Sequence, residues 1–551
     1  MPEDTTLHPG SLAELNLDAT PLHTGLDAVR HFEDDGNPDP VSGHPLLPGA
    51  VVLMAHHGRV FSNEASGWAL RYADYQGTQL PLDRRIEMRQ DTIFDLASLS
   101  KLFTSTVAVQ QIERGAIALD APVVRYLPEF TTGGKQAVTI EMLLTHTSGL
   151  PPDPTPSLWQ GYDTVAARKL AVAHSPLQNP PGSTYLYSDL NMLNLALVVE
   201  AVTGKPLDRL VAEGITGPLR MTDTRYNPPA ALRHRIAPTE FQLPEHGEPN
   251  RGLVWGQVHD ENAWALDGVA GHAGVFSTAH DLGVLCQTML NGGSYAHSRI
   301  LREESVRMLF TDYNSAFPGN AHGLGFELDQ MFYMGGLSGP RSAGHTGYTG
   351  TTLVIDFQSR SICLVLTNRV HPNRHTSSIN PARTAAATGF AHAMAVLPLR
   401  GATTWFCEIG DSAHARLTTP ALSPTGPTLL VRYAAFVHTD VGPPGDPLTL
   451  EWRTDGSNWS TVAVRAFGRD APRGTAESLA TDTPRSWWLV EAEVPARQGI
   501  RLRWHYDTDT YYTGRGINLD AIAVHDGTGL LLHGERDAHR FVAQGWRQVP
   551  R

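Results

Sequence analysis

The order of apolar and polar positions divides the chain into a mixed region and an all-strand region. LDAVRHFEDDG, residues 26–36, predicts a helix. The run GAVVLMAHHGRVFSNEASGWA after it predicts extended chain broken by a dipeptide turn at His57-Gly58. Residues 94–114, FDLASLSKLFTSTVAVQQIER, carry helical apolar spacing and stop before Gly115. TIEMLLTHTSGLP is a second helical piece, and residues 187–203 and 278–292 predict further helices, the former stopped at Gly204. Residues 344–368 predict two strands around a turn at Gln358-Ser359. Strands flanking a helix-rich middle predict an α/β (α+β) fold with a central antiparallel sheet and a helical subdomain.

The texture changes near residue 401. TLLVRYAAFVH, LTLEWRT, STVAVRAFG, WWLVEAEV, IRLRWHYDT and INLDAIAVHD follow one another, separated by Gly-, Pro- and Asp-rich turns, with no helical stretch. That rhythm predicts a β-sandwich. The expected organisation is an N-terminal extension at 1–21, a mixed domain at 22–400 and an accessory β-sandwich at 401–551.

Composition narrows the function. With 41% hydrophobic and 18% charged residues, the chain is globular. No apolar stretch approaches the roughly 20 residues that span a bilayer. The start, MPEDTTLHPGSLAELNLDATPLHTG, lacks the basic region and apolar core of a secretory signal. A cytoplasmic location is expected, or a secreted one if a leader is missing. A net charge of −13 without a basic cluster argues against nucleic acid. Cys286, Cys363 and Cys407 are distant and odd in number, giving no disulfide framework and no metal spacing. No HExxH pattern occurs, so neither metal nor cofactor is expected. The expected partner is a small-molecule or peptide substrate; the sequence does not fix the oligomeric state.

Basic residues are nearly all arginine; the lysines are Lys101, Lys135, Lys169 and Lys205. Lysine, unlike arginine, can lose its proton when desolvated. Ser98-Leu99-Ser100-Lys101 places a hydroxyl and an amine three apart, on one helix face. A serine nucleophile needs an adjacent base, and a lysine with a lowered pKa can serve. Taken alone, the same four residues also read as a solvated lysine at a helix start. Tyr187-Ser188-Asp189 opens a helix, where a tyrosine can shuttle a proton to a leaving group; equally, it is a core tyrosine above an N-capping Asp189. His345-Thr346-Gly347-Tyr348-Thr349-Gly350 reads as the start of a strand whose glycines admit a substrate to the backbone, or as a turn with a surface histidine.

The order of these motifs resembles the penicillin-binding-protein and serine β-lactamase superfamily, in its class C β-lactamase and esterase branch. Phe94-x-x-Ala97-Ser98-x-Ser100-Lys101, LLTHTSGLP, PLRMTDT and GVFSTAHDL resemble its recurrent segments. VHDENAWALDGVAGHAGVFSTAHDL, GHTGYTGT and LTNRVHP resemble the narrower branch that includes murein-recovery N-acetylmuramoyl-L-alanine amidases and D,D-carboxypeptidase-like proteins.

The resemblance implies a serine hydrolase. Ser98 is acylated, Lys101 and Tyr187 manage its proton, and the amides of Ser98 and Tyr348 form the oxyanion hole. His345, Gly347 and Asp189 contact substrate or adjust the catalytic groups. His259, Asp260, Glu261 and His272 line the cleft or make loop hydrogen bonds, and His371 is treated the same way. Two departures stand out. Asp189 replaces the usual Asn and could hold Lys101 charged; His345 replaces a common Lys, weakening capture of a carboxylate. The leading expectation is an amidase or peptidase on cell-wall-derived peptides or muropeptides. The alternatives are a carboxylesterase or transacylase, a β-lactamase or D,D-carboxypeptidase, and a catalytically idle binding protein. The C-terminal region resembles MAM-like jelly-roll modules; there Asp507, Asp509 and Asp520 either bind Ca²⁺ or occupy β-turns.

Overall fold

The computed structural model describes residues 6–407, 410–441, 445–468, 471–481, 486–510 and 514–550. Two compact units are present. One comprises residues 1–15, 22–334 and 341–387; the other comprises residues 16–21, 335–340 and 388–551.

In the first unit the apolar run after residue 48 forms strands Gly49–His56 and Arg59–Leu70. They pair antiparallel around His57 and Gly58, whose φ values are 49° and 77°. A two-residue hairpin turn of the primed type needs positive φ at both central positions. The sheet continues in the order Gly49–His56, Ser361–Thr367, Thr352–Asp356, Ser342–Thr346, Glu327–Leu328, all antiparallel. On its other side, His8–Pro9 pairs parallel with Arg59–Leu70. The 344–368 segment therefore carries part of a third strand: His345 sits near the end of Ser342–Thr346, not at the start of a strand. Asp356 pairs with Ser361, so the second turn falls where Gln358-Ser359 predicted it.

The early helix spans Ala19–His31, beginning before the sequence reading placed it. The helix expected from 94 starts later, at Ser100, and runs to Glu113. Phe94–Asp95 instead pairs with Val275–Ser277 as a strand, and Ala97, at φ 47°, blocks helical continuation. A single 3₁₀ turn, Ala97–Leu99, bridges the two. Every residue from Ser100 to Gln111 is buried, Lys101 included. Helix Asp189–Thr203 packs on this helix and ends at Gly204, φ 66°, the left-handed cap that glycine favours. Leu102, Phe103, Val107, Leu190 and Val198 share one core with sheet residues Leu53, Leu364 and Leu366. Each such buried side chain stabilises by about 1.5–3 kcal/mol.

The second unit is a β-sandwich. Thr428–His438, Trp487–Pro495 and Gly516–Asp526 belong to a seven-stranded sheet, and Leu448–Arg453 and Arg501–Asp507 to a five-stranded one. STVAVRAFG divides into Ser460–Val462 and Arg465–Phe467, which join different sheets. Alternate residues of both sheets, such as Leu417, Leu450, Trp504, Val431, Val490 and Leu519, form the common core. The three aspartates considered for Ca²⁺ do not form one ligand set among the described residues. Asp520 accepts the Leu399 and Arg400 amides at 2.5 and 2.9 Å, Asp509 accepts that of Gly445 at 3.1 Å, and Asp507 contacts two histidines. No helix among the described residues is long and apolar enough to cross a membrane.

Candidate active site

Ser98 is held by an over-determined turn. Positive φ at a non-glycine residue such as Ala97 is disfavoured by roughly 1–2 kcal/mol. Surrounding bonds fix it. The Ala97 amide donates to Asp95 Oδ1 at 2.9 Å, and the His259 amide donates to Asp95 Oδ2 at 2.6 Å. Thr349 Oγ1 donates to Asp95 O at 2.7 Å, and Thr351 Oγ1 to Leu96 O at 2.9 Å. The 347–351 turn is thereby tied to the backbone preceding the serine. A methyl group on Gly347 would lie 2.5 Å from Leu96 O and nearer still to the Thr351 hydroxyl, so only glycine fits.

The helical spacing does bring hydroxyl and amine together: Lys101 Nζ donates to Ser98 Oγ at 2.7 Å. The same nitrogen lies 2.7 Å from Asp189 Oδ1 and donates to His272 O at 3.4 Å. It also stands 4.8 Å from the centre of the Tyr187 ring, and Tyr187 and Ser98 line the same cavity. Burial alone would push the amine down, but the Asp189 carboxylate, with Tyr187 adding to it, outweighs burial and raises the lysine's pKa, keeping Lys101 an ammonium. This reverses the lowered pKa expected of a lysine base. Burial pushes the Tyr187 phenol up to about 12, with Lys101 opposing it. Asp189, Asp260 and His272 place ligand atoms within 4.8 Å of one another, but the Lys101 ammonium already supplies a cation beside Asp189.

Two of the histidines that enclose this group, His146 and His345, add no charge, whereas, against burial, the Asp260 and Glu240 carboxylates raise the pKa of His272 and His259. His146 packs on Tyr187 with ring centres 4.6 Å apart, and burial holds it neutral. Burial and the nearby Lys101 ammonium push His345 down to about 3. Its Nδ1–H donates to Thr346 O at 2.7 Å, so it presents no positive charge to a substrate. His272 donates through Nε2 to Asp260 Oδ1 at 2.9 Å. His259 lies 2.7 Å from Glu240 Oε2 and stacks on Tyr348 with ring centres 5.8 Å apart. Arg374 ion-pairs with both Glu240 and Glu261. His371 accepts the Arg71 and Tyr72 amides at 3.3 and 3.2 Å and serves the loop structure.

A cavity of about 660 Å³ opens over Ser98. Ser98, Tyr187, His345, Gly347 and Tyr348 lie on its wall; His259, His272 and Asp189 do not. Three charged wall residues were not singled out in the sequence: Arg369, Arg383 and Glu327. Arg383 Nη2 donates to Gly347 O at 3.0 Å and Thr351 O at 3.3 Å; Arg369 Nε donates to Tyr348 O at 3.1 Å. Both arginines thus brace the turn beside the nucleophile. Burial pushes Glu327 up to about 7. Arg369 lies within the quoted LTNRVHP, but only the pairing of strands brings it to the site. Arg383 lies in helix Asn380–Ala393, in a stretch with no motif.

The β-lactamase family model matches residues 41–388. The chain is 33% identical over 354 residues to "Putative D-alanyl-D-alanine carboxypeptidase" of Escherichia coli (strain K12), covering 59% of this chain and 79% of that protein. Among solved structures, "EstCE1, a hydrolase with promiscuous acyltransferase activity" is 22% identical with a TM-score of 0.51, covering 67% of this chain and 100% of that one. A penicillin-binding-protein homologue from Caulobacter crescentus is 19% identical with the same TM-score of 0.51, covering 67% of this chain and 97% of that one. At those identities the likeness to the two structures is one of fold. The family match, the fold and a serine–lysine pair beneath an open cavity agree: this chain belongs to the β-lactamase and penicillin-binding-protein family of serine hydrolases.

Proposed function

We propose that the first unit is a peptidase acting on peptides derived from the cell wall, with Ser98 as the acylated nucleophile. The observation that carries this reading is the Lys101 Nζ to Ser98 Oγ contact of 2.7 Å under a cavity walled by Arg369 and Arg383. Two guanidinium groups suit a peptide ending in a free carboxylate. The carboxypeptidase name of the relatives points to the same bond, between D-amino acids.

Ser98 Oγ bonds to the scissile carbonyl carbon while its proton passes to the Lys101–Tyr187 group. The amides of Ser98 and Tyr348 receive the oxyanion. The amine leaves with a proton delivered through Tyr187, and water then cleaves the ester at Ser98. Because Asp189 keeps Lys101 charged, the coupled group must first release one proton to solvent. The reactive form therefore accumulates toward alkaline pH. The branch containing murein-recovery amidases is a finer assignment, supported by the 258–282 segment that supplies the His272 carbonyl to Lys101.

A carboxylesterase or transacylase is the second reading. It is favoured by the uncharged His345 beside the nucleophile, which makes no demand for an anion. The two are separated by incubating the enzyme with a muropeptide ending in D-alanyl-D-alanine, its lactyl-amide counterpart and a short p-nitrophenyl ester, with products read by mass spectrometry. Release of D-alanine supports the peptidase. Ester cleavage with both peptides untouched supports the esterase.

A further inference from the structure

On the outer face of the five-stranded sheet, three side chains from two adjacent strands meet. His414 opens strand His414–Thr418, and Asp507 closes strand Arg501–Asp507; the two residues are direct cross-strand partners. His505, two residues before Asp507, shares its face. The alternate residues Ala415, Leu417, Trp504 and Tyr506 point into the core, so this face is the solvent side.

We propose that His414, His505 and Asp507 form a binding site for a divalent transition-metal ion of the zinc class. His414 Nδ1 lies 2.5 Å and His505 Nε2 lies 2.8 Å from the same atom, Asp507 Oδ1, and all three ligand atoms fall within 4.8 Å of one another. The His505 contact is not aligned as a hydrogen bond: its buried Nε2 has no hydrogen-bond partner despite the short separation. The other nitrogen of that ring, Nδ1, is 3.4 Å from Glu451 Oε2. Arg503 fixes Glu451 through contacts of 2.5 and 2.6 Å.

His505 is thus bracketed by carboxylates at both nitrogens. A neutral imidazole carries one proton and carboxylates donate none, so a neutral ring leaves one nitrogen without a hydrogen bond, and even a ring protonated at both nitrogens makes none at the misaligned Nε2. A metal ion on Nε2 resolves the conflict. Nδ1–H then donates to Glu451, the carboxylate–histidine–metal arrangement that fixes a ligand's tautomer. Two imidazoles and one carboxylate suit zinc, with water in the fourth position, whereas Ca²⁺ prefers oxygen alone. Ligand atoms around tetrahedral zinc stand about 3.3 Å apart, from bonds of about 2.0–2.1 Å. His414 would shift by less than about 1 Å to reach that spacing. Its side chain is 64% exposed and free to do so.

The test uses full-length, untagged protein, stripped with chelator and titrated with Zn²⁺ by calorimetry at neutral pH. One saturable equivalent is expected. His414→Ala and His505→Ala should each weaken it at least ten-fold, and Glu451→Gln within the ten- to hundred-fold range of outer-shell partners. His414 is exposed, so its variant remains informative if His505→Ala fails to fold. Zn²⁺ should also raise the melting temperature of the native protein and not that of His414→Ala. An absence of saturable binding, or identical isotherms for the native protein and His414→Ala, would overturn the proposal.

Discussion

Lys101 Nζ lies 2.7 Å from Asp189 Oδ1 and at the same 2.7 Å from Ser98 Oγ, so the amine nearest the nucleophile is also one half of a buried ion pair. The site therefore rests in a protonated form. Asp189→Asn removes the charge that offsets burial, and the Lys101 pKa must fall. The alkaline rise of kcat/KM is expected to move about one to three pH units lower, the range produced by an adjacent opposite charge. A pH–rate profile on a p-nitrophenyl ester measures this. Lost activity with an unmoved profile would show that Asp189 serves only the fold.

Glu327 gives a second pH dependence, opposite in sign. Its carboxyl is raised from 4.5 to about 7 by burial in the cavity wall. A raised acid favours folding while neutral, so its contribution is complete below the unfolded value and lost as pH rises through about 7. Above that pH the cavity also gains a negative charge. KM for a carboxylate-ended peptide is expected to climb between about pH 6 and pH 8, and Glu327→Gln should flatten both trends. Melting curves from about pH 4 to pH 8, and KM between about pH 6 and pH 8, check it.

Gly347→Ala places a methyl group against Leu96 O and the Thr351 hydroxyl. Overpacking of this kind costs about 1–3 kcal/mol. Because the displaced turn carries Tyr348, kcat should fall by more than the stability loss alone explains. Steady-state kinetics at a temperature well below the melting point separates the two effects.

Local chemistry was the most legible part of the sequence. His57-Gly58 announced a hairpin because two positive φ values need such residues, and Gly204 announced a helix end. Ser98 and Lys101 could be paired because helical spacing is fixed. Residues 94–99 misled because apolar spacing cannot reveal Ala97 in the left-handed region or the pairing of Phe94–Asp95 with a strand from residue 275 onward. Arg369 and Arg383 were invisible for a related reason: sheet and helix packing, not spacing, carries them to the cavity. The sign of the Lys101 shift depended on a distance to Asp189 that the sequence could only suggest.

Arg369→Ala tests the peptide reading. A hydrogen bond to a charged group contributes about 1.5–3 kcal/mol. KM for a peptide with a free C-terminal carboxylate should therefore rise about ten- to hundred-fold, with kcat changed less. The same peptide amidated at its C-terminus should show little difference in KM between native enzyme and variant, any loss of kcat from the unbraced Tyr348 turn being common to both peptides. Equal effects on KM for both would remove the arginine from substrate recognition.

The most direct measurement is the mass of the intact protein after exposure to a fluorophosphonate or a penicillin, followed by mapping of the modified peptide. One adduct on Ser98 is expected in the native protein, slow formation in Lys101→Ala and none in Ser98→Ala. An adduct that persists in Ser98→Ala, or that maps to another residue in the native protein, would contradict Ser98 as the acylated nucleophile.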